Sequence, residues 1–217
     1  MKAIFIFLAT IFSVSLFAQT PGRTYASITK ADGSTIKGTS VDYRYENLFI
    51  VESLSGGADN TATVELEVPT SGYTATFRNM VNTNVVLVKP AAIKPLNPTI
   101  VKPTGTEIKV APQGTINSAT LTASPISRVE ISMTVKRDGG SATPFINRQI
   151  ILENAIVESC TENIAAGTTK IKFKATRIGW VYVNRDGGWK VSSLSKSGWD
   201  TATGAAWNNF QSTQMIF

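Results

Sequence analysis

TKIKFKATRIGWVYV, residues 169–183, holds the longest strand signal in the chain, and the fold is read outward from it. Apolar and polar side chains alternate from Lys170 to Lys174, the period of a pleated strand with one dry face. Lys170, Lys172, Lys174 and Thr176 share a phase with Ile178, Trp180 and Tyr182, so cations and large apolar groups fall on one ideal face. Either a bulge near Arg177–Gly179 flips the phase, or that face crosses from a wet region to a dry one. The Lys170, Lys172 and Lys174 row is a candidate lining for a polar surface or channel.

Neighbouring segments carry the same period. RVEISMTVK (128–136) puts Val129, Ile131, Met133 and Val135 on one face and Glu130, Ser132 and Thr134 on the other. In 61–68, Val64, Leu66 and Val68 oppose Thr63, Glu65 and Glu67. Further strands are expected over 25–30, 35–40, 48–54, 73–77, 84–88 and 145–153, with 154–160 either continuing the last or forming a separate strand. Asp32-Gly33 suits a tight hairpin turn, because both positions tolerate positive φ. No segment shows a strong helical period. Residues 89–125 hold six of the nine prolines and read as a long connection, with a short edge strand over 106–110.

Composition agrees. Thr, Val and Ile number 27, 17 and 20 against 10 Leu in 217 residues, a β-branched excess that favours strands. At least eight strands with short polar turns predict an all-β protein, a sandwich or barrel with little helix.

Residues 1–18 have the layout of a signal peptide: Met1-Lys2, a short apolar run, and a cut near Ala18-Gln19. The run is short for a membrane span, which needs about 20 residues. The mature chain, 19–217, is then one domain, secreted or periplasmic, with an aromatic C-terminal tail over 184–217.

Several function classes drop out. With no His there is no Ser-His-Asp triad, Cys-His dyad or His metal ligand. One Cys, Cys160, excludes an internal disulfide framework and CxxC motifs. The net charge of +6 falls to +5 without the leader, and its dispersed cations do not make a nucleic-acid surface. Glu65 and Glu67 lie roughly 7 Å apart on one strand face, within glycosidase range, but alternating Glu on a strand is foremost a solvated face. The glycine pairs lack a phosphate-loop context, and the turn aspartates lack calcium-loop spacing. No catalytic residue, metal site or cofactor is expected. Trp189, Trp199 and Trp207 lie in a Ser-, Gly- and Asn-rich tail that cannot fold alone, which points to docking on the body or on a neighbouring subunit.

Several motifs in order resemble the haemolysin-coregulated protein (Hcp) family, the tube protein of type VI secretion. Asp32-Gly33, Ile36-Lys37-Gly38-Thr39-Ser40 and the apolar strand over 48–55 look like the family's opening. Leu152-Glu153-Asn154-Ala155-Ile156-Val157-Glu158-Ser159 is similar to its strand reading leucine-glutamate-asparagine-valine-x-valine-x-serine. Ile178, Trp180 and Tyr182 resemble its last strand, and Gly198-Trp199-Asp200 its glycine-tryptophan-aspartate end. The resemblance implies a compact β-barrel of two antiparallel sheets and hexameric rings stacked into a hollow tube. Such a tube carries or chaperones cargo, meets spike proteins and has no catalytic site. Tube assembly would be cytoplasmic only if the leader is unused. The resemblance also implies a short helix mid-chain, for which 89–125 offers no pattern. The alternative is an exported β-sandwich that binds glycan or surface polymer through the tail tryptophans.

Overall fold

The computed structural model describes residues 20–84, 126–136 and 144–214. The expected leader, the proline-rich connection and the 106–110 strand lie outside the described residues. The elements run β1 (Thr20–Lys30), β2 (Thr35–Ile36), β3 (Phe49–Val51), β4 (Ser53–Gly56), β5 (Thr63–Pro69) and α1 (Tyr73–Asn84), then β6 (Ile126–Lys136), β7 (Phe145–Asn163), β8 (Thr168–Arg185), β9 (Val191–Asp200) and β10 (Ala205–Ala206). The all-β expectation holds, with one helix among the described residues.

Every strand pair is antiparallel, and the pairs close a ring. β1 pairs β6, β6 pairs β7, β7 pairs β8 and β8 pairs β5. β3 and β4 complete it as one bent segment, with β3 on β1 and β4 on β5. The Glu52 amide donates to the Glu67 carbonyl at 2.8 Å across the bend. Closure leaves these strands no free edge inside the ring. All six positions feed one core: Ala26 and Ile28, Phe49 and Val51, Val64 and Leu66, Val129 and Ile131, Ile150 and Leu152, Ile171 and Phe173. Each fully buried large side chain contributes about 1.5–3 kcal/mol.

The β1–β2 turn forms as the sequence predicts. Gly33 takes φ +81°, and the Asp32 carboxylate accepts from the Ser34 amide at 2.8 Å. β2 is shorter than the expected 35–40 strand, because from Gly38 the chain leaves the sheet and bonds to 47–48.

The two expected sheets are joined because β7 and β8 run through both. The first half of β8 pairs β5 from Thr168 to Lys174. Its second half pairs β9 along the same edge, from Arg177 to Arg185. There the wall leaves the barrel and continues as a β7–β8–β9 leaf.

The phase problem in 169–183 is resolved at this branch. Ile171, Phe173 and Ala175 face the core, and beyond them Ile178 and Trp180 do. β7 flips at the same level, from Ala155 and Val157 to Leu152 and Ile150. The register stays unshifted through the flip, with Glu153 opposite Arg177 and Ala155 opposite Ala175. The flip is therefore matched in both strands and is not a bulge at Arg177–Gly179. Asn154 on β7 takes φ 52° there, a left-handed conformation that Asn tolerates. The register shift in this pair lies between Val157 and Ser159. Gly179 serves another purpose: a Cβ would sit 2.6 Å from the Phe210 ring, so its absence lets that ring lie against the strand.

Residues 73–77, expected as a strand, open the helix α1, and Asn84 ends it. Residues 85–88 lie outside the described residues. Tyr73, Phe77, Met80 and Val81 recur at helical spacing, and all four pack on the barrel core. The Phe77 ring meets Phe49 of β3 at 5.8 Å and Phe173 of β8 at 6.1 Å, so the helix packs its apolar side on the barrel core. Arg78 ties it to Glu162 at 2.7 Å. Tyr73 is pushed up to about 12 by burial and by the nearby Glu52 charge.

Candidate assembly surface

The expected site residues do not gather in one place. Lys170, Lys172 and Lys174 stand on the outer face of β8, opposite the buried Ile171 and Phe173. Glu67, Glu65 and Thr63 of β5 lie directly across from them in register. Glu158 takes Lys172 at 2.9 Å and Lys174 at 4.0 Å, and Glu67 takes Lys170 at 3.9 Å. The row is thus a ladder of alternating charge rather than a strip of bare cations. Glu158, through a hydrogen bond and its charge, holds the Lys172 ammonium above the ordinary lysine range.

The three tail tryptophans separate. Trp189 sits in the turn between β8 and β9 with φ 66°, its ring 5.9 Å from Phe145. Trp199, near the far end of β9, packs on the barrel core. At roughly 3.3 Å per residue, the eight steps of β9 from Val191 to Trp199 set the turn that holds Trp189 about 25 Å from Trp199 along the strand. Trp207 is 9 % exposed and packs with Phe210 against Ile151 and Val181, on the outer wall of its own barrel. The expected docking of the tail on the body is therefore met in part within the chain. Of the two aromatics that share a phase on β8, Trp180 is a core anchor and Tyr182 is not. Trp180 is buried, but Tyr182 is 42 % exposed, because β8 has passed the barrel rim by then, and its ring meets the Arg148 guanidinium, 5.1 Å from the centroid.

Two surfaces stand out that the sequence reading missed. The first is β9. It pairs β8 on one side, and β10 covers only Trp199 and Asp200 on the other. Residues 191–197 are exposed along their length, Val191 and Leu194 among them. Among the described residues no strand pairs that outer edge, so it offers a row of ladder groups to an incoming strand. A strand wet on both faces shows no alternation, which is why 184–217 read as a tail. Val191 and Leu194, apolar and three residues apart among serines, are the one signal it gave.

The second surface is the loop 41–46. The Ser40 amide donates to the Leu48 carbonyl and the Asn47 amide to the Ser40 carbonyl, each at 2.9 Å, which pins the loop base. Tyr45 stacks on Tyr25 with centroids 4.2 Å apart and planes 3° from parallel. The Tyr25 hydroxyl donates to Asp42, which also lies 3.7 Å from Arg23. Burial, and then that carboxylate, push the Tyr25 phenol well above its ordinary value. Val41 and Tyr43 are left 90 % and 95 % exposed on this braced frame. Beside them lies a cleft of about 670 Å3, lined by Tyr43, Arg44, Tyr45, Ile146 and Gln214.

No helix of the described residues is long and apolar enough to cross a membrane. Cys160 is half-buried, facing the Thr74 carbonyl of α1, and burial pushes its thiol up. That environment gives packing rather than nucleophilic chemistry.

No family model matches the chain, and no curated protein sequence matches it significantly. Solved structures do. A type six secretion system protein superposes with a TM-score of 0.54 at 12% identity, over 85% of this chain and 99% of that one. Hcp2 from Salmonella typhimurium superposes with a TM-score of 0.51 at 11% identity, over 85% and 99%. The secreted protein Hcp3 from Pseudomonas aeruginosa gives 0.50 at 12%, over 82% and 98%. The chain has the Hcp fold, as its motifs led us to expect.

Proposed function

We propose that the chain is a structural subunit that assembles with copies of itself into hexameric rings, stacked into a tube resembling that of type VI secretion. The fold shared with Hcp proteins at near-complete coverage of their chains carries this reading. The unpaired edge of β9 and the braced Val41 and Tyr43 supply surfaces that subunit contacts need. Lys170, Lys172, Lys174 and Trp189 are the residues of the expected set that a neighbour or a lumen could meet. Secretion cargo and spike proteins are the further proposed partners. With residues 1–18 as a cleaved leader, the subunit works in the periplasm or outside the cell. Nothing in the reading requires a catalytic group or a cofactor.

The alternative, a glycan-binding module built on the tail tryptophans, is less favoured. Trp207 is enclosed by its own chain, and Trp189 is far from Trp199.

Light scattering after size exclusion on the purified chain, with negative-stain images of the peak, tests the proposal. Closed rings at six protomer masses are expected. Replacing both Val191 and Leu194 by Asp should return a folded monomer. A wild-type chain that stays monomeric at high concentration would overturn the ring.

A further inference from the structure

Glu130 lies on the outer face of β6, where the sequence pattern places solvent, yet it is 1 % exposed. The cover is the C-terminal strap, residues 207–214, which crosses the wall made by β6, β7 and β8. The Glu130 carboxylate accepts from the Thr213 amide at 3.0 Å, the Thr213 hydroxyl at 2.7 Å, the Gln214 amide at 3.2 Å and the Ser212 hydroxyl. From the barrel it accepts from Gln149 Nε2 at 3.1 Å and Arg128 Nε at 3.3 Å. Arg128 also donates to the Gln211 carbonyl, and Ser132 to the Gln214 side chain. One buried carboxylate is thus the hub that holds the strap's last residues.

We propose that the strap is an acid-releasable clasp, closed on the ionised Glu130 carboxylate and opened when that carboxylate takes a proton. Four of the six donors converging on Glu130 come from the strap. A neutral acid has one oxygen that must itself donate, and the Thr213 and Gln214 amides, Gln149 Nε2 and Arg128 Nε cannot accept, so only the Ser212 or Thr213 hydroxyl can turn to receive it, giving up its own bond to the carboxylate. Protonation therefore removes the charge that all six donors share and turns one strap hydroxyl from donor to acceptor, which weakens the strap's attachment in a buried site. Burial works to raise the Glu130 carboxyl, but the bonds from Ser212, Thr213 and Gln214 outweigh it and hold it below the ordinary carboxylate range. With the folded value depressed, the clasp is at full strength above the unfolded value. It weakens as pH falls through the folded one.

The clasp is also incompletely satisfied. Gln149 Oε1 and Gln214 Nε2 are buried without a hydrogen-bond partner. A partly satisfied polar network holds less firmly than a complete one, which suits a junction meant to open. The charged groups around the strap are Arg128 beside Glu130, Glu153 on Arg128, Lys196 at the Phe210 carbonyl, and Arg177 with Asp200 near Trp207. Opening would bare Ile151 and Val181 and free Trp207 and Phe210. The inference concerns this strap alone and does not depend on the ring proposal.

Fluorine NMR of the whole chain labelled with 5-fluorotryptophan separates the four indoles, assigned by single Trp→Phe variants. On titration from neutral to acid pH, the Trp207 signal should move to its exposed position while the Trp180 signal stays native. Glu130→Gln should raise the open fraction at neutral pH at least ten-fold and remove its pH dependence. Should that variant fail to fold, Ser212→Ala with Thr213→Val strips the strap's hydroxyl donors without touching the barrel or Asp200, and should move the midpoint to higher pH. Loss of the Trp180 and Trp207 signals together, or a midpoint unmoved by the strap variant, would overturn the clasp.

Discussion

Arg177 Nε donates to Asp200 Oδ2 at 2.8 Å, and the two residues stand directly opposite each other on β8 and β9. The pair is one end of a longer row. Glu153 of β7 is the register partner of Arg177, and Arg128 of β6 is the partner of Glu153. Four residues on four adjacent strands therefore alternate in sign, with Arg128 3.1 Å and Arg177 3.8 Å from Glu153. Cross-strand pairs of opposite charge favour one register, and a one-residue slip of β7 or of β8 would break two of the three contacts at once. The row crosses the level of Asn154, where β7 and β8 exchange faces, so it fixes register where the hydrophobic pattern is weakest.

Asp200 should therefore link stability to pH. The hydrogen bond from Arg177, joined by the Thr203 and Ala202 amides, holds its carboxyl below the ordinary range against a smaller opposing effect of burial. A depressed folded value gives stability that is complete above the unfolded value and lost as pH falls through the folded one. Asp200→Asn keeps an acceptor for the Ala202 and Thr203 amides and removes the charge. Urea unfolding should show the variant less stable than wild type at neutral pH, with the gap closing near pH 2. A gap of equal size at both pH values would mean that the ionised pair contributes nothing.

Trp180 anchors the barrel by a different means. Its indole Nε1 donates to the Gly57 carbonyl at 2.6 Å, joining β8 to the turn after β4 across 123 residues of sequence. Trp180→Phe keeps most of the apolar burial but strands that carbonyl. The expected cost is about 1–3 kcal/mol, read from the denaturation midpoint at an unchanged slope.

Gly198 is predicted to be intolerant of any side chain. A Cβ there would lie 2.1 Å from the Trp207 carbonyl oxygen, a backbone atom that cannot rotate away. The same turn carries the Trp207 amide bond to the Gly198 carbonyl at 2.8 Å. Gly198→Ala should lower stability by about 1–3 kcal/mol, the scale of an overpacked site. Native-state hydrogen exchange should show protection lost first at Trp207. Unchanged protection there would mean the strap adjusts without strain.

The parts of the fold that the sequence disclosed are those where one face is dry. Val64, Leu66 and Val68 on β5 and Val129 and Ile131 on β6 alternate because the barrel interior takes every second residue. Two kinds of segment hid. β9 is wet on both faces, so burial imposes no period on it. The polar face of β6 reads as solvated, yet Glu130, Ser132 and Thr134 are buried, because a strap 80 residues away in sequence covers the first two and the Thr134 hydroxyl bonds to the Arg23 carbonyl. Neither long-range contact leaves a local trace. The charged row on β8 was visible as cations, but its partners lie on β5 and β7 and appear only with the register.

The helix α1 was hidden for a more local reason, and it gives the sharpest test of packing. Thr74 and Thr76 made 73–77 look like a strand, while Tyr73, Phe77 and Val81 hold helical spacing. The tertiary environment decides between them: Phe77 is fully buried, 5.8 Å from Phe49, 6.2 Å from Tyr73 and 6.1 Å from Phe173. Removing that ring opens a cavity among three aromatics that barrel strands and the helix hold in place, so the site has little room to collapse. Phe77→Ala should cost about 3–5 kcal/mol, near the upper end for a core aromatic. Phe77→Leu, which refills most of the volume, should recover at least half of it. If 73–84 were instead a strand on the barrel surface, Phe77 and the exposed Ala75 would share a face, and Ala75→Asp would be as damaging as Phe77→Ala. With α1 in place Ala75 faces solvent, so Ala75→Asp should shift the unfolding free energy by no more than about 0.5 kcal/mol.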